Sequence, residues 1–139
     1  MMRDASDEEE GSVLLLAIGY ALLAIAVIFV CVCATDLYIT QKRLDALADS
    51  AALAGADGFT LTIDDAGPRA DLTDDGVREQ AEALVAALPT DARIVSAATP
   101  DGVSARVTVA GIWRPPLLSP FLPEGVPLQA TGTSRTALQ

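Results

Sequence analysis

Hydrophobic positions in this chain follow two patterns: one unbroken apolar block near the start, and shorter alternating stretches after it. Residues 12–35 contain no charged residue and no proline. As an α-helix this block would extend roughly 36 Å at about 1.5 Å per residue, enough to cross a hydrocarbon core of about 30 Å. A helix pairs its own backbone groups, which lipid requires. The block therefore predicts a transmembrane helix over residues 12–35, after an acidic leader over residues 1–11.

Three kinds of membrane segment compete for this block. A cleaved secretory signal has a basic start and about 7–15 apolar residues. Here the start is acidic and the block is longer, although residues 32–34 weakly resemble a cleavage box. A lipoprotein signal needs small residues before its cysteine, whereas Phe29 and Val30 precede Cys31. An uncleaved anchor that continues into a second helical half fits best.

The helical pattern continues beyond the apolar block and meets no helix breaker before Gly55. Leucines and alanines recur at spacings of three, four and seven, which predicts one apolar face on a stalk over residues 36–57. The predicted packing face consists of Leu37, Leu44, Leu47, Ala48, Ala51, Ala52 and Ala56. Its alanines either let another helix approach closely or reflect only high helix propensity. One helix is thus predicted over residues 12–56.

Residues 58–139 show strand-like alternation and a second helical pattern. A short strand is predicted over residues 59–63, a chain break at residues 67–68, and a helix from an N-cap at Thr73 to Pro89. A hairpin is predicted around the turn at residues 99–102, and a further strand over residues 125–137. The predicted fold class is α+β: a long transmembrane-plus-stalk helix packed with a second helix and a small antiparallel sheet.

Composition excludes several kinds of function. The net charge is −10 and there is no histidine, which argues against nucleic-acid binding and excludes imidazole chemistry. Cys31 and Cys33 both lie in the apolar block and face different directions on a helix, so they cannot pair with each other. They are interpreted as small apolar residues, with a thiol-bridged or acylated role as the alternative.

An acidic stretch after residues 67–68 overlays a calcium-binding EF-hand loop. The overlaid positions are Asp71, Thr73, Asp75, Gly76 and Glu82. Arg78 stands where an apolar residue belongs, and the preceding break leaves no room for a full entering helix. A helix capped by Thr73, with acids in its first turn, explains the same residues and is favoured. We predict no catalytic site, no metal site and no cofactor, because no group of reactive side chains converges in the sequence.

Residues 112–123 are apolar, aromatic and too rich in proline for the centre of a sheet. One interpretation is a loop that covers the core. The other is an exposed patch, with Trp113, Arg114 and Phe121, that contacts a partner subunit or the membrane interface.

The N-terminal third resembles a known family. A glycine and serine at residues 11–12, an apolar helix, an aspartate at residue 36 and the run from Lys42 to Ala56 follow in the order typical of TadE/TadG-like proteins. These are pilin-like membrane subunits of the tight-adherence (Flp) pilus machinery. The resemblance covers roughly residues 11–58. It implies a minor pilin or pseudopilin in contact with membrane lipid and with other pilus-assembly subunits.

The resemblance also implies processing and topology. A prepilin peptidase would cut between Gly11 and Ser12 on the cytoplasmic side, where glycine breaks the helix and carries no side chain. Leu16 stands where type IV prepilins usually carry a glutamate. The family implies a cytoplasmic N-terminus and an extracytoplasmic C-terminal domain in a single-pass membrane protein. Lys42 and Arg43 after the block conflict with the positive-inside rule.

The sequence therefore predicts a non-enzymatic structural or assembly subunit of a Tad-type pilus or related secretion machine. The alternative is a membrane-anchored extracytoplasmic module that binds calcium or a small ligand.

Overall fold

A computed structural model describes residues 4–136, with side chains described for residues 11–136. The chain divides into two compact units, Met1–Asp36 and Leu37–Gln139. In chain order the elements are α1 (Asp4–Ala56), β1 (Thr60–Asp64), β2 (Gly67–Asp71), α2 (Asp74–Ala86), β3 (Arg93–Ala98), β4 (Ser104–Trp113) and β5 (Val126–Arg135). The predicted α+β class is confirmed.

In the first unit, the described residues form the first part of α1. Its aliphatic side chains are exposed all round, as Leu15 (73%) and Ile28 (63%) show. Within residues 4–136, α1 is the one helix long and apolar enough to cross a membrane. A helix that is hydrophobic all round and has no protein core around it is typical of a lipid-facing span. This N-terminal helix indicates single-pass membrane anchoring.

The helix begins earlier than predicted, at Asp4, and runs through Gly11. The prediction that Gly11 breaks the helix is therefore wrong. A glycine within a helix costs only about 1 kcal/mol relative to alanine. The acidic residues that precede it in the sequence lie near the helix N-terminus, where the helix dipole favours negative charge.

The second unit is built on an antiparallel sheet with the strand order β3-β4-β5. The β4–β5 ladder is long and regular, from Ser104 opposite Arg135 to Trp113 opposite Val126. Alternation places Ala105, Val107 and Val109 on the buried face, while the hydroxyls of Thr108 and Thr131 lie 2.8 Å apart. One face of the sheet is therefore apolar and is covered by helices.

The stalk part of α1 covers this apolar face. Leu44, Ala48, Ala51, Ala52 and Ala56 are buried in one cluster with the sheet valines and with α2. Small side chains on the helix let it approach the sheet closely. At Gly132 of β5, an added Cβ would collide with the Ala48 carbonyl and lie 2.6 Å from the Asp49 nitrogen.

The second helix is capped as predicted. The Thr73 side chain accepts a hydrogen bond from the Gly76 N–H at 3.1 Å, and Asp74 accepts one from the Thr99 N–H at 2.7 Å. Val77 and Ala81 are buried in the core. The helix ends at Ala86, before the predicted end, and Leu88 is 42% exposed.

Two strand predictions need correction. The break at residues 67–68 is instead the start of β2, which pairs with β1 in a separate two-stranded sheet. Pro68 is tolerated there because a two-stranded sheet consists of edge strands only. Strand β4 continues to Trp113, so residues 112 and 113 belong to the sheet and the proline-rich loop begins at Arg114. The two prolines that follow end the strand, since neither can donate to a ladder.

We predict that Gly132→Ala destabilises the second unit by about 1–3 kcal/mol, because the new methyl group would overpack the contact with α1. Gly111→Ala is the matched control. Its added Cβ would meet only the tip of Leu44, at 3.4 Å. Thermal unfolding of the full chain in detergent micelles, followed by Trp113 fluorescence, measures the difference. Equal stability of the two variants would contradict this packing.

We also predict an acid-sensitive turn at Asp101. Hydrogen bonds from the Val103 N–H (3.0 Å), the Ser104 hydroxyl (2.8 Å) and the Ser104 N–H (2.6 Å) lower the pKa of this carboxyl below its usual value of 3.8. A lowered folded-state pKa stabilises the fold above the unfolded pKa, and this contribution is lost as the pH falls through the folded pKa. In thermal unfolding, Asp101→Asn should be less stable than the wild type at neutral pH, and the two should converge in acid. Asp65→Asn controls for the loss of one negative charge. A constant difference between wild type and Asp101→Asn across the pH range would refute the prediction.

Candidate functional site

Three residues of the EF-hand-like pattern make contacts within the chain. The Thr62 hydroxyl donates to Asp71 at 3.1 Å, Thr73 caps α2, and Glu82 lies 3.7 Å from Arg78 on an exposed face of α2. Within the described part of the chain, no three histidine, cysteine or acidic residues are grouped so as to hold a metal ion. The other candidate functional features are exposed surfaces of the second unit.

The predicted packing face of the stalk is used within the chain. Five of its seven residues lie in the buried cluster, Leu47 packs against that cluster while partly exposed, and Leu37 is half-buried. The alanines share one buried cluster with the sheet and with α2, and a strand approaches the ridge closely at Gly132.

A polar cluster fixes the first turns of the stalk in the second unit. Gln41 donates to Asp45 at 3.0 Å and to the carbonyl of Gln129 in β5 at 3.1 Å, and Lys42 lies 3.2 Å from Asp45. The hydrogen bond from Gln41, followed by that from Lys42, lowers the pKa of the Asp45 carboxyl. The Lys42 ammonium also lies 5.8 Å from the centroid of the Tyr38 ring. The exposed side of this segment thus carries an aromatic ring beside a cation.

A groove of about 610 Å³ lies beside the stalk in the second unit. Its walls are the helix side chains around Arg43 and Leu47, the segment after α2 at residues 88–92, and Ile112 with Leu128 of the sheet. Arg43 and Asp91 contribute opposite charges to a mostly apolar lining. Such a groove can accept an apolar side chain or a short segment from a neighbouring molecule.

The β4–β5 loop, residues 114–125, is anchored at its base and apolar at its tip. Pro115 is fully buried, whereas Leu117 and Phe121 are 77% and 79% exposed. The Phe121 and Leu122 N–H groups donate to the Leu118 carbonyl at 2.9 and 3.0 Å. The loop is therefore internally hydrogen-bonded and presents large apolar side chains outward. Of the predicted loop residues, Phe121 and Arg114 are exposed and Trp113 lies at the end of β4.

The β1–β2 hairpin carries a second exposed apolar pair, which sequence reasoning missed. Leu61 and Ile63 alternate along β1 and are 61% and 83% exposed. Every residue of β1 is exposed, and among the described strands β1 pairs with β2 alone. The alternation of Leu61 and Ile63 was visible in the sequence, but whether a third layer covers them was not.

Gly11 and Ser12, the residues of the predicted cut, lie in α1 in the first unit, and both are exposed. An added Cβ at Gly11 would meet no atom within 4 Å. The predicted site is thus accessible but helical.

Comparison with known proteins returned one family. Neither a curated protein nor a solved structure matches the chain. The family model for Tad, putative Flp pilus-assembly TadE/G-like, matches residues 11–58. This segment begins within α1 and ends two residues after it, so the match describes the anchor and the stalk. Over these residues, a little over a third of its length, the chain is similar to this Flp pilus-assembly family.

Proposed function

We propose that this chain is a minor pilin or pseudopilin, a structural or assembly subunit of a Tad-type pilus or a related secretion machine. The observation that carries the proposal is the family match over residues 11–58, which coincides with a helix that begins apolar and then supplies the core of a folded domain. A subunit of this kind acts by position and contact. It needs no reactive centre.

The packing of the second unit explains how such a subunit could work. One face of the stalk between Leu44 and Ala56 is buried against the sheet and α2, so separating the domain from the stalk would expose the apolar core. A force on the stalk, or a displacement of it, is therefore transmitted to the rest of the second unit. The exposed groove and the β1–β2 hairpin are the surfaces we propose for other pilus-assembly subunits.

The proposed organisation follows the predicted one. Residues 1–11 are a cytoplasmic leader, residues 12–35 cross the membrane, residues 36–57 form the stalk, and residues 58–139 complete an extracytoplasmic domain. This orientation is taken from the family resemblance, since Lys42 and Arg43 would favour the opposite one by charge alone.

The alternative, an anchored module that binds calcium or a small ligand, gains no supporting observation from residues 4–136. The acidic loop on which it rested serves as the cap of α2 and as a partner of β1.

Protease shaving of intact cells tests the orientation. A C-terminal epitope tag on the full chain should be removed by external protease, and an N-terminal tag should survive until the cells are lysed. The physical reason is that a single span places the two ends on opposite sides of the bilayer. A cytoplasmic protein that stays undigested controls for cell integrity. A C-terminal tag that resists external protease and is lost on lysis would refute the orientation.

Processing is tested by the mass and N-terminal sequence of the protein isolated from membranes. We expect a chain that begins at Ser12, and we expect Gly11→Leu to retain the leader because a bulky side chain would block the peptidase. Gly19→Leu is the matched control, since neither glycine has an atom within 4 Å of an added Cβ. A wild-type chain that keeps its leader, or a Gly11→Leu chain cut as efficiently as the wild type, would exclude cleavage at this position.

A further inference from the structure

The position of the β4–β5 loop in the second unit follows from contacts between the strands and the stalk. An added Cβ at Gly55, near the end of α1, would lie 3.4 Å from Ala105, at the start of β4. Nearer the beginning of the stalk, an added Cβ at Gly111 would lie 3.4 Å from Leu44. Strand β4 therefore runs along the stalk from its end back towards its beginning. The loop that follows β4 lies beyond Leu44 in that direction.

Simple dimensions place the start of the loop. Trp113 lies two residues past Gly111, which is roughly 7 Å along a strand at about 3.3 Å per residue. Leu37 lies seven residues before Leu44, which is roughly 10 Å along a helix at about 1.5 Å per residue. The hydrogen bond from Gln41 to the Gln129 carbonyl places β5 next to the part of the stalk between Leu37 and Leu44. The loop thus leaves the sheet close to Leu37, where the chain enters the second unit.

Chain continuity brings this end of the unit close to the bilayer. The apolar block ends at Thr35, two residues before Leu37. The stalk there exposes Tyr38 (64%) and Ile39 (43%), with the Lys42 ammonium beside the Tyr38 ring. An exposed aromatic ring next to a cation is typical of the boundary between hydrocarbon and water.

The loop has the chemistry of a segment that enters this boundary. Residues 115–123 contain no charge, and Arg114 and Glu124 flank them. Among its exposed side chains, Leu117 and Phe121 are large and apolar. The Ser119 hydroxyl donates to the Pro115 carbonyl at 3.1 Å. Moving the loop tip out of water would therefore gain apolar contacts and leave this hydroxyl paired.

We propose that the β4–β5 loop inserts Leu117 and Phe121 into the lipid headgroup and upper acyl region, as a second membrane contact of the chain in addition to the transmembrane helix. Lipid is favoured over a protein partner for two reasons. The loop lies at the end of the second unit that is joined to the apolar block, and the tip of the loop carries no charge. The proposal rests on the single-pass anchoring and is independent of the pilus role.

Trp113, the chain's single tryptophan, lies at the base of the loop and reports on it. The full chain is reconstituted into phosphatidylcholine–phosphatidylglycerol vesicles with and without phosphatidylcholine that carries a nitroxide quencher near the headgroup. We expect the quencher to remove much of the Trp113 fluorescence in the wild type and much less in Phe121→Asp. Ile63→Asp is the matched control, since Ile63 is 83% exposed on the β1–β2 hairpin, and it should behave as the wild type.

Leu117→Asp provides a second loop variant, because its side chain is also exposed and a misfolded Phe121→Asp would otherwise leave the result uncertain. Flotation of the chain with the vesicles checks the anchoring separately. A chain that does not float removes the basis of the proposal. A chain that floats but shows no quenching, or equal quenching in all variants, overturns loop insertion while leaving the anchor intact. Fluorescence that responds to the protein-to-lipid ratio and not to the quencher would show that a second copy covers the loop, and would also overturn the proposal.

Discussion

The close contact between the stalk of α1 and the sheet is the interaction on which the second unit depends. Both cysteines lie in the apolar block and the second unit contains none, so no disulfide within that unit holds it together, and aromatic residues make up only 4% of the chain. Cohesion therefore comes from many small contacts, in which alanines of the helix meet Val107, Val109 and Gly132 of the sheet. Dispersion and apolar burial are weak for each pair of atoms and large when summed over such an interface. Close approach gives many such contacts even where the side chains are small.

This arrangement links anchoring to folding. The helix that carries the apolar block also carries residues 44–56 of the core, so a domain without its stalk would lack one layer. The family match covers the anchor and stalk and stops where the helix stops. The strands that pack on the stalk lie outside that match. The matched segment therefore supplies the helix, and the rest of the chain supplies the sheet that covers its apolar face.

Periodicity was sufficient to predict the elements that bury an apolar face. The long helix, the capped second helix and the β3–β4 hairpin all follow from patterns that local physics enforces, such as the Thr73 cap and the turn at residues 99–102. The sequence was less informative where the outcome depends on neighbours. Pro68 lies in a strand because that strand has a free edge, and the helix passes through Gly11 because its flanking residues support it. The partner of the alanine ridge was also beyond local reasoning, since alanines allow either a helix or a strand to approach. Whether Leu61, Ile63 and Leu117 are exposed depends on whether another element covers them, and hydrophobic periodicity carries no information about such neighbours.

The hydrogen bond between Gln41 and Gln129 joins residues that are 88 positions apart. Residues 44–56 are synthesised before β5, a strand that packs against them at Gly132. This part of the apolar face of the stalk therefore stays uncovered until β5 has been synthesised. Pairings of such large sequence separation form slowly. Closure of the domain is thus a late step of biogenesis, and the exposed alanine ridge is the surface that a chaperone would meet before it.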